Sequence, residues 1–211
     1  DLLPPSFFKS NREQFMKEIG NEAVAIFYSN SLKTRSNDVE YRFKQDNNFF
    51  YLTGLNEPDA VLVLIPSGIS RSVLKLASRA TGKYYDLTLD TIKSDFKIRE
   101  ILFIKERDSL REVWTGRTLG TKGAVEKLGF QFALPIDEFK SVIRGIIFSS
   151  RAKTVYFPYP FDCQEGILKE IVEVIKSVVN SQRSRVQFAD PTPILARMRM
   201  IKKPEEIELI K

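Results

Sequence analysis

Histidine is absent from all 211 residues, and cysteine occurs once, as Cys163. Without an imidazole the chain lacks the usual general base and proton shuttle near neutral pH, and the usual nitrogen ligand for zinc, copper or non-haem iron. Ser-His-Asp and Cys-His nucleophilic arrangements are thereby excluded. A single thiol makes neither an intrachain disulfide nor a multi-thiolate metal site, and this usage fits a reducing compartment. Long apolar runs are missing too. AVLVLI at 60–65 and GIIF at 145–148 fall far short of the roughly 18–20 residues that cross a bilayer. The start, DLLPPSFFKS, has no basic segment followed by an apolar one, so no secretory signal is read and a cytoplasmic protein is expected. No repeat, low-complexity stretch or run of one charge is seen. The 33 basic and 27 acidic residues, net +6, are interleaved, a solvated surface rather than a nucleic-acid footprint.

What is present is an ordinary globular composition, 43% hydrophobic and 28% charged, enough for a buried core. After Pro4 and Pro5, Ser6 is expected to cap a helix that carries Phe8, Phe15 and Ile19 on one face and stops near Gly20. AVAIFY at 23–28 predicts a buried strand. AVLVLI, entered through Asn56, Glu57, Pro58 and Asp59 and closed by Pro66, Ser67 and Gly68, predicts a second. ILFI at 101–104 and TVYF at 154–157 predict two more. Their apolar residues are consecutive rather than alternating, which requires cover on both faces. Helices to supply it are predicted at 121–128, ended by Gly129, at 137–148 with Asp137 as cap, and at 164–180, where Ile167, Leu168, Ile171, Val174, Ile175 and Val178 keep a 3.6-residue period. Such alternation predicts an α/β three-layer sandwich, a mixed central sheet flanked by helices. Residues 69–99 give no clear pattern and are read as a hairpin with an inserted excursion.

Near the end, Asp190-Pro191-Thr192-Pro193 breaks the chain and ILARMRM follows as a short amphipathic piece. A helix then starts with Pro204 at its first position, Glu205 and Glu206 toward its positive end, and Ile207 and Ile210 on an apolar face. Fewer than three turns are marginal alone. The expectation is a domain over 1–190, with 191–211 as linker and first turns of a helix leading into further polypeptide.

Three clusters carry chemistry-bearing side chains. Arg35 to Leu64 is dense in aromatics, charges and amides, and reads as a loop pinned against the core by Phe43, Phe49, Phe50 and Tyr51, with Gly54 making a turn. Arg107 to Gly120 holds Trp114, the one tryptophan, between Glu112 and Arg117; spacing alone leaves a core role and a binding role both open. Gly116 and Gly120 lack the spacing and Lys-Ser/Thr ending of a phosphate loop. The carboxylate pairs Glu205 and Glu206, Asp108 and Glu112, and Asp86 and Asp90 look like solvated charges. None is assigned to catalysis or to a metal.

EYRFKQDNNFFYLTGLNEPDAVLVL, followed by RDSLREVWTGRTLG, resembles the N-terminal domain of the Xaa-Pro aminopeptidases (aminopeptidase P), of the creatinase and prolidase "pita-bread" metallopeptidase group. MRMIKKPEEIELIK resembles the junction where the catalytic domain of that family begins. The resemblance implies a creatinase-like N-terminal domain that is not itself catalytic, in a hydrolase that removes the N-terminal residue from peptides with proline second. It implies two divalent metals, manganese in kind, held by a C-terminal domain outside this sequence, with a metal-bound hydroxide attacking the peptide bond. The expected partners are that C-terminal domain, peptides with penultimate proline, and further copies of the chain in a dimer or tetramer; nucleic acid and membrane are not expected. By position within the matched motifs, Trp114 and Asp38 are the cleft-side residues the resemblance points to. A binding or chaperone-type module from a catalytically dead relative is the alternative reading.

Overall fold

The apolar runs meet in one sheet. The computed structural model describes residues 3–37, 39–74, 96–108, 110, 112, 116–158, 166–180 and 186–211. Among them the strands are β1 (Ala23–Tyr28), β2 (Thr34–Ser36), β3 (Val39–Glu40), β4 (Val61–Ile69), β5 (Ile98–Ile104), β6 (Ala133–Pro135), β7 (Thr154–Tyr156) and β8 (Gln187–Ala189). The helices are α1 (Pro5–Ile19), α2 (Asn47–Thr53), α3 (Gly120–Leu128), α4 (Phe139–Ser149), α5 (Gly166–Val179), α6 (Thr192–Met200) and α7 (Pro204–Ile210). Six strands form the sheet in the order β6-β5-β4-β1-β7-β8, and β2 pairs with β3 apart from it. β4 is antiparallel to both β1 and β5, while β5–β6, β1–β7 and β7–β8 are parallel. One strand therefore opposes five, which is the mixed sheet the sequence pattern predicts.

Both faces of the central strands are covered, so consecutive residues are apolar. Val24, Ile26, Val61, Val63, Ile101 and Phe103 turn to a core shared with α4 and α5 through Ile143, Ile146, Ile171 and Ile175. Ala25, Phe27, Leu62, Leu64, Leu102 and Ile104 turn to the other, shared with α1, α2, α3 and α6 through Phe15, Leu52, Ala124 and Leu195. Each such large side chain contributes about 1.5–3 kcal/mol on leaving water. Among the described residues no helix is long and apolar enough to cross a membrane.

Local start and stop signals differ from expectation at several points. α1 begins at Pro5, with Pro4 as N-cap and no side-chain capping bond, so Ser6 lies inside the helix. Proline at the first helical position already supplies the required φ and has no N–H to satisfy. Asp137 does not cap α4; it sits in a 3-10 turn, Ile136–Glu138, that runs straight into the helix, and backbone already turning leaves no extended position for a cap. Pro66, Ser67 and Gly68 do not close β4, which passes through them to Ile69 with a register shift after Leu64. Proline is tolerated where ladder pairing is interrupted. The cluster read as a pinned loop contains α2, capped by Asp46 accepting the Phe49 N–H at 2.8 Å and ended by Gly54 in the left-handed conformation. A Cβ on Gly54 would lie 2.6 Å from the Phe8 ring, so that turn admits only glycine. β6 and β8, three residues each, had no sequence signal. Most of 69–99, with Asp86 and Asp90, lies outside the described residues, as does Cys163.

One buried ion pair crosses the second core. Arg12 of α1 and Glu100 of β5 have side chains 0% and 4% exposed, with Nε to Oε2 at 2.7 Å. Nη2 reaches Oε1 at 3.3 Å, Nη1 donates to the Leu52 carbonyl at 2.9 Å, and the guanidinium lies 4.1 Å above the Phe130 ring. Glu100 also accepts the Gln131 N–H at 3.1 Å. Removing one partner strands the other charge. Arg12→Met or Glu100→Gln is expected to cost about 3–5 kcal/mol in urea denaturation, and the double variant well below the sum; additive losses would show that the two side chains do not act as a pair.

Candidate functional site

Because five strands run one way, their C-terminal ends share an edge, the place where open α/β sheets hold ligands. The segment after β1 and the segment between β5 and α3 both emerge there, beside the entry into β4. The first is stitched down by side chains. Ser29 pairs with Ala60 twice, its N–H donating to the carbonyl at 2.9 Å and its Oγ accepting the N–H at 2.7 Å. Gln45, 7% exposed, uses its whole amide: Oε1 accepts the Asn30 and Asp46 N–H groups at 3.0 and 2.9 Å, and Nε2 donates to the Leu55 and Glu57 carbonyls at 3.1 and 2.9 Å. Between Asn30 and Gln45 the β2–β3 hairpin projects with every described strand residue exposed. It carries Leu32, Val39 and Tyr41 into solvent.

Carboxylates join the second segment to the first. Glu57 Oε1 accepts the Leu119 N–H at 2.8 Å. Asp59, in the left-handed region at φ 56°, pairs with Lys105 at 2.5 Å. Glu112 closes the base of the β5–α3 segment, accepting Arg107 Nε and Nη2 at 2.7 and 2.9 Å and the Thr118 N–H and hydroxyl at 3.1 and 3.3 Å. Gly120, at φ 61°, lets this base close, since a Cβ there would sit 3.2 Å from the Arg107 backbone nitrogen. It starts α3 and belongs to no phosphate loop.

Environment tunes the two glutamates apart. Burial raises the Glu57 pKa, the Leu119 N–H acts against it, and the nearby Glu112 charge adds to the rise. The hydrogen bonds from Arg107, ahead of those from Thr118, bring Glu112 down to about 2. Each carboxylate already holds protein donors, so the edge is built to fix loops rather than to supply an attacking base. Among the described residues no three His, Cys, Asp or Glu side chains are placed to hold a metal ion; with no histidine in the chain, these residues do not fit the metal pair of the resembled family.

Of the residues the motifs single out, Trp114 and Asp38 lie outside the described residues. Their described neighbours, Asn37 and Val39 on the hairpin and Glu112 and Gly116 between β5 and α3, belong to segments leaving this same edge. Asp108 makes a local turn, accepting the Leu110 N–H at 3.0 Å, and Glu206 accepts the Lys203 N–H at 2.9 Å at the start of α7. Sequence reasoning passed over Gln45 and Glu57. The available signal was a carboxylate directly before Pro58 and a strand, within a segment whose other polar residues find buried partners.

The family described as aminopeptidase P, N-terminal domain, matches residues 8–156. An Xaa-Pro aminopeptidase of Haemophilus influenzae is 29% identical over 208 residues, covering 99% of this chain and 40% of the relative. Human Xaa-Pro aminopeptidase 3 is 28% identical over 189 residues, covering 90% of this chain and 32% of the relative. A zinc-substituted Escherichia coli aminopeptidase P in complex with product superposes with TM-score 0.74 at 26% identity, over 99% of this chain and 41% of that one. The chain thus spans about a third to two fifths of the length of these relatives.

Opposite shifts give opposite pH dependence. Glu112 has a depressed folded pKa, so the advantage of the wild-type chain over Glu112→Gln is expected in full above the ordinary 4.5 and is lost as pH falls toward 2. Glu57 has a raised one, so stability relative to Glu57→Gln is greatest below 4.5 and declines as pH rises through the folded value. Urea midpoints across that interval check both; parallel curves for the two variants would contradict the assignment.

Proposed function

The chain belongs to the aminopeptidase P N-terminal domain family, and from that we propose that it serves as the non-catalytic N-terminal domain of a metal-dependent Xaa-Pro aminopeptidase, which removes the N-terminal residue from peptides with proline second. The observation that carries this reading is the match over residues 8–156 by a chain that covers only 40% of its Haemophilus relative. The metal pair, manganese in this reading, belongs to the remaining polypeptide, whose relatives include a zinc-substituted form. The absence of histidine fits that division, since catalytic metal sites in hydrolases ordinarily include it.

In this reading the domain is a wall and an assembly surface. Its sheet edge, stiffened by Gln45, Glu57 and Glu112, carries the segments bearing Asp38 and Trp114, which face the cleft and narrow it to peptide N-termini. The hairpin supports self-association: a two-stranded ribbon is marginally stable alone, and Leu32, Val39 and Tyr41 on it are 40%, 52% and 57% exposed. A dimer or tetramer covers them. Residues 1–190 form the domain and 191–211 lead into the catalytic part, first through α6, which packs on the domain's second core by Leu195 and Met198; the enzyme works in the cytoplasm on proline-containing peptides.

The test is an Xaa-Pro peptide assay with Mn²⁺, on this chain and on the full-length protein. Turnover is expected from the full-length protein only. Cleavage by the chain above blank contradicts the reading, and a full-length protein that binds such peptides without cleaving them makes the domain part of a binding module instead.

A further inference from the structure

The last two helices are held very differently. α6 is seated on the body: Leu195 is 0% and Met198 7% exposed, the Tyr51 hydroxyl donates to the Met198 carbonyl at 3.3 Å, and Arg199 Nη1 donates to Asn48 Oδ1 at 2.7 Å. α7 has no buried residue. Met200, Ile201, Ile207, Leu209 and Ile210 are all exposed at and beyond the join.

Lys203 stands between the two and turns back toward α1. Its Nζ lies 2.6 Å from Asn11 Oδ1 and 3.1 Å from Ser10 Oγ, and 5.4 Å above the Phe7 ring. The seat is preformed. Asn11 is fully buried and its Nδ2 donates to the Tyr51 carbonyl at 2.9 Å, which leaves Oδ1 facing the ammonium as acceptor. At the other end of the residue, the Lys203 N–H donates to Glu206 Oε2 at 2.9 Å and closes the first turn of α7. Lys202, by contrast, donates to the Arg199 carbonyl within its own helix end. The Lys203 side chain therefore ties the start of α7 to the first helix, 192 residues away in sequence.

We propose that Lys203 is a positioning residue that sets the direction in which α7 leaves this domain, so that the exposed apolar side chains of α7 meet the polypeptide following Lys211. The occupant rests on the function proposed above and on length: this chain covers 40% of the Haemophilus relative, whose remainder exceeds the domain itself. A hinge left loose at this point would let the wall carried by the sheet edge drift relative to a downstream active site. A charge-assisted contact with a fixed amide and an aromatic face resists that drift more specifically than apolar packing does.

The experiment uses the full-length protein with Lys203→Met, which keeps the stem and removes the ammonium, beside Lys202→Met. Backbone hydrogen exchange over 201–207 is expected to quicken by about tenfold or more in Lys203→Met, the scale of one lost charge-assisted hydrogen bond. KM for an Xaa-Pro peptide is expected to rise by about threefold to tenfold with kcat nearly unchanged, because ground-state placement is lost and the reacting groups are not. Lys202→Met changes neither. Unaltered exchange in Lys203→Met, or equal effects of the two variants, overturns the proposal. So does a shift to a smaller oligomer in Ile207→Asp, which would make the α7 face a contact between copies. If the wild-type protein fails to cleave Xaa-Pro peptides the function proposed above fails, and hydrogen exchange still decides the role of Lys203.

Discussion

The buried pairing of Arg12 with Glu100 is the constraint from which the rest of the arrangement follows. Taking two charges out of water costs several kcal/mol per ion, and only near-complete hydrogen bonding offsets that loss. Here the guanidinium meets a carboxylate with two nitrogens, a backbone carbonyl with a third, and an aromatic face. Every one of those partners comes from a different part of the chain: β5, the end of α2, and the turn before β6. Apolar packing of α1 on the sheet tolerates sliding; this set of directional contacts does not.

From that fixed point two lines of support diverge. α2 is held by its Leu52 carbonyl, and its Gly54 exit delivers Leu55 and Glu57, whose carbonyls are gripped by Gln45. That line ends at the sheet edge, where Glu57 reaches Leu119. In the other direction α1 presents Asn11, one residue before Arg12, to the Tyr51 carbonyl and to Lys203. The edge and the exit of the chain are thus both referred to the same helix, and a disturbance at Arg12 propagates to each.

The central strands were legible because β1, β4 and β5 are buried on both faces, which imposes unbroken apolar runs that no loop shares. β6 and β8 were not, since three residues show no period and are strands only by virtue of parallel neighbours. α2 was hidden by its composition: NNFFYLT pairs weak helix formers with aromatics, and its helicity rests on the Asp46 cap, Gly54 and burial of Phe49 and Leu52. Ser6 misled because a good capping residue followed two prolines, one of which already satisfies the helix start. At the edge, Gln45 and Glu57 looked like any loop amide and acid. Their partners, Asn30, Leu55 and Leu119, lie up to 62 residues away, and no spacing rule connects them.

The way the edge spends its charge argues for placement over reaction. A general base must keep a free lone pair near its target and a pKa near the working pH. Glu112, brought to about 2 by Arg107 and Thr118, is far too weak a base, and its oxygens are already occupied. Burial and a neighbouring charge raise the Glu57 pKa, and one of its oxygens is committed to Leu119. Tuning of this kind is the by-product of using carboxylates as tethers between segments distant in sequence. A tether holds best when acceptor and donor stand on opposite sides of the junction, as Glu57 and Asp59 do toward Leu119 and Lys105. What such an edge holds is a shape of narrow tolerance, and the stiffness of that shape is set by the same hydrogen bonds that occupy its acids.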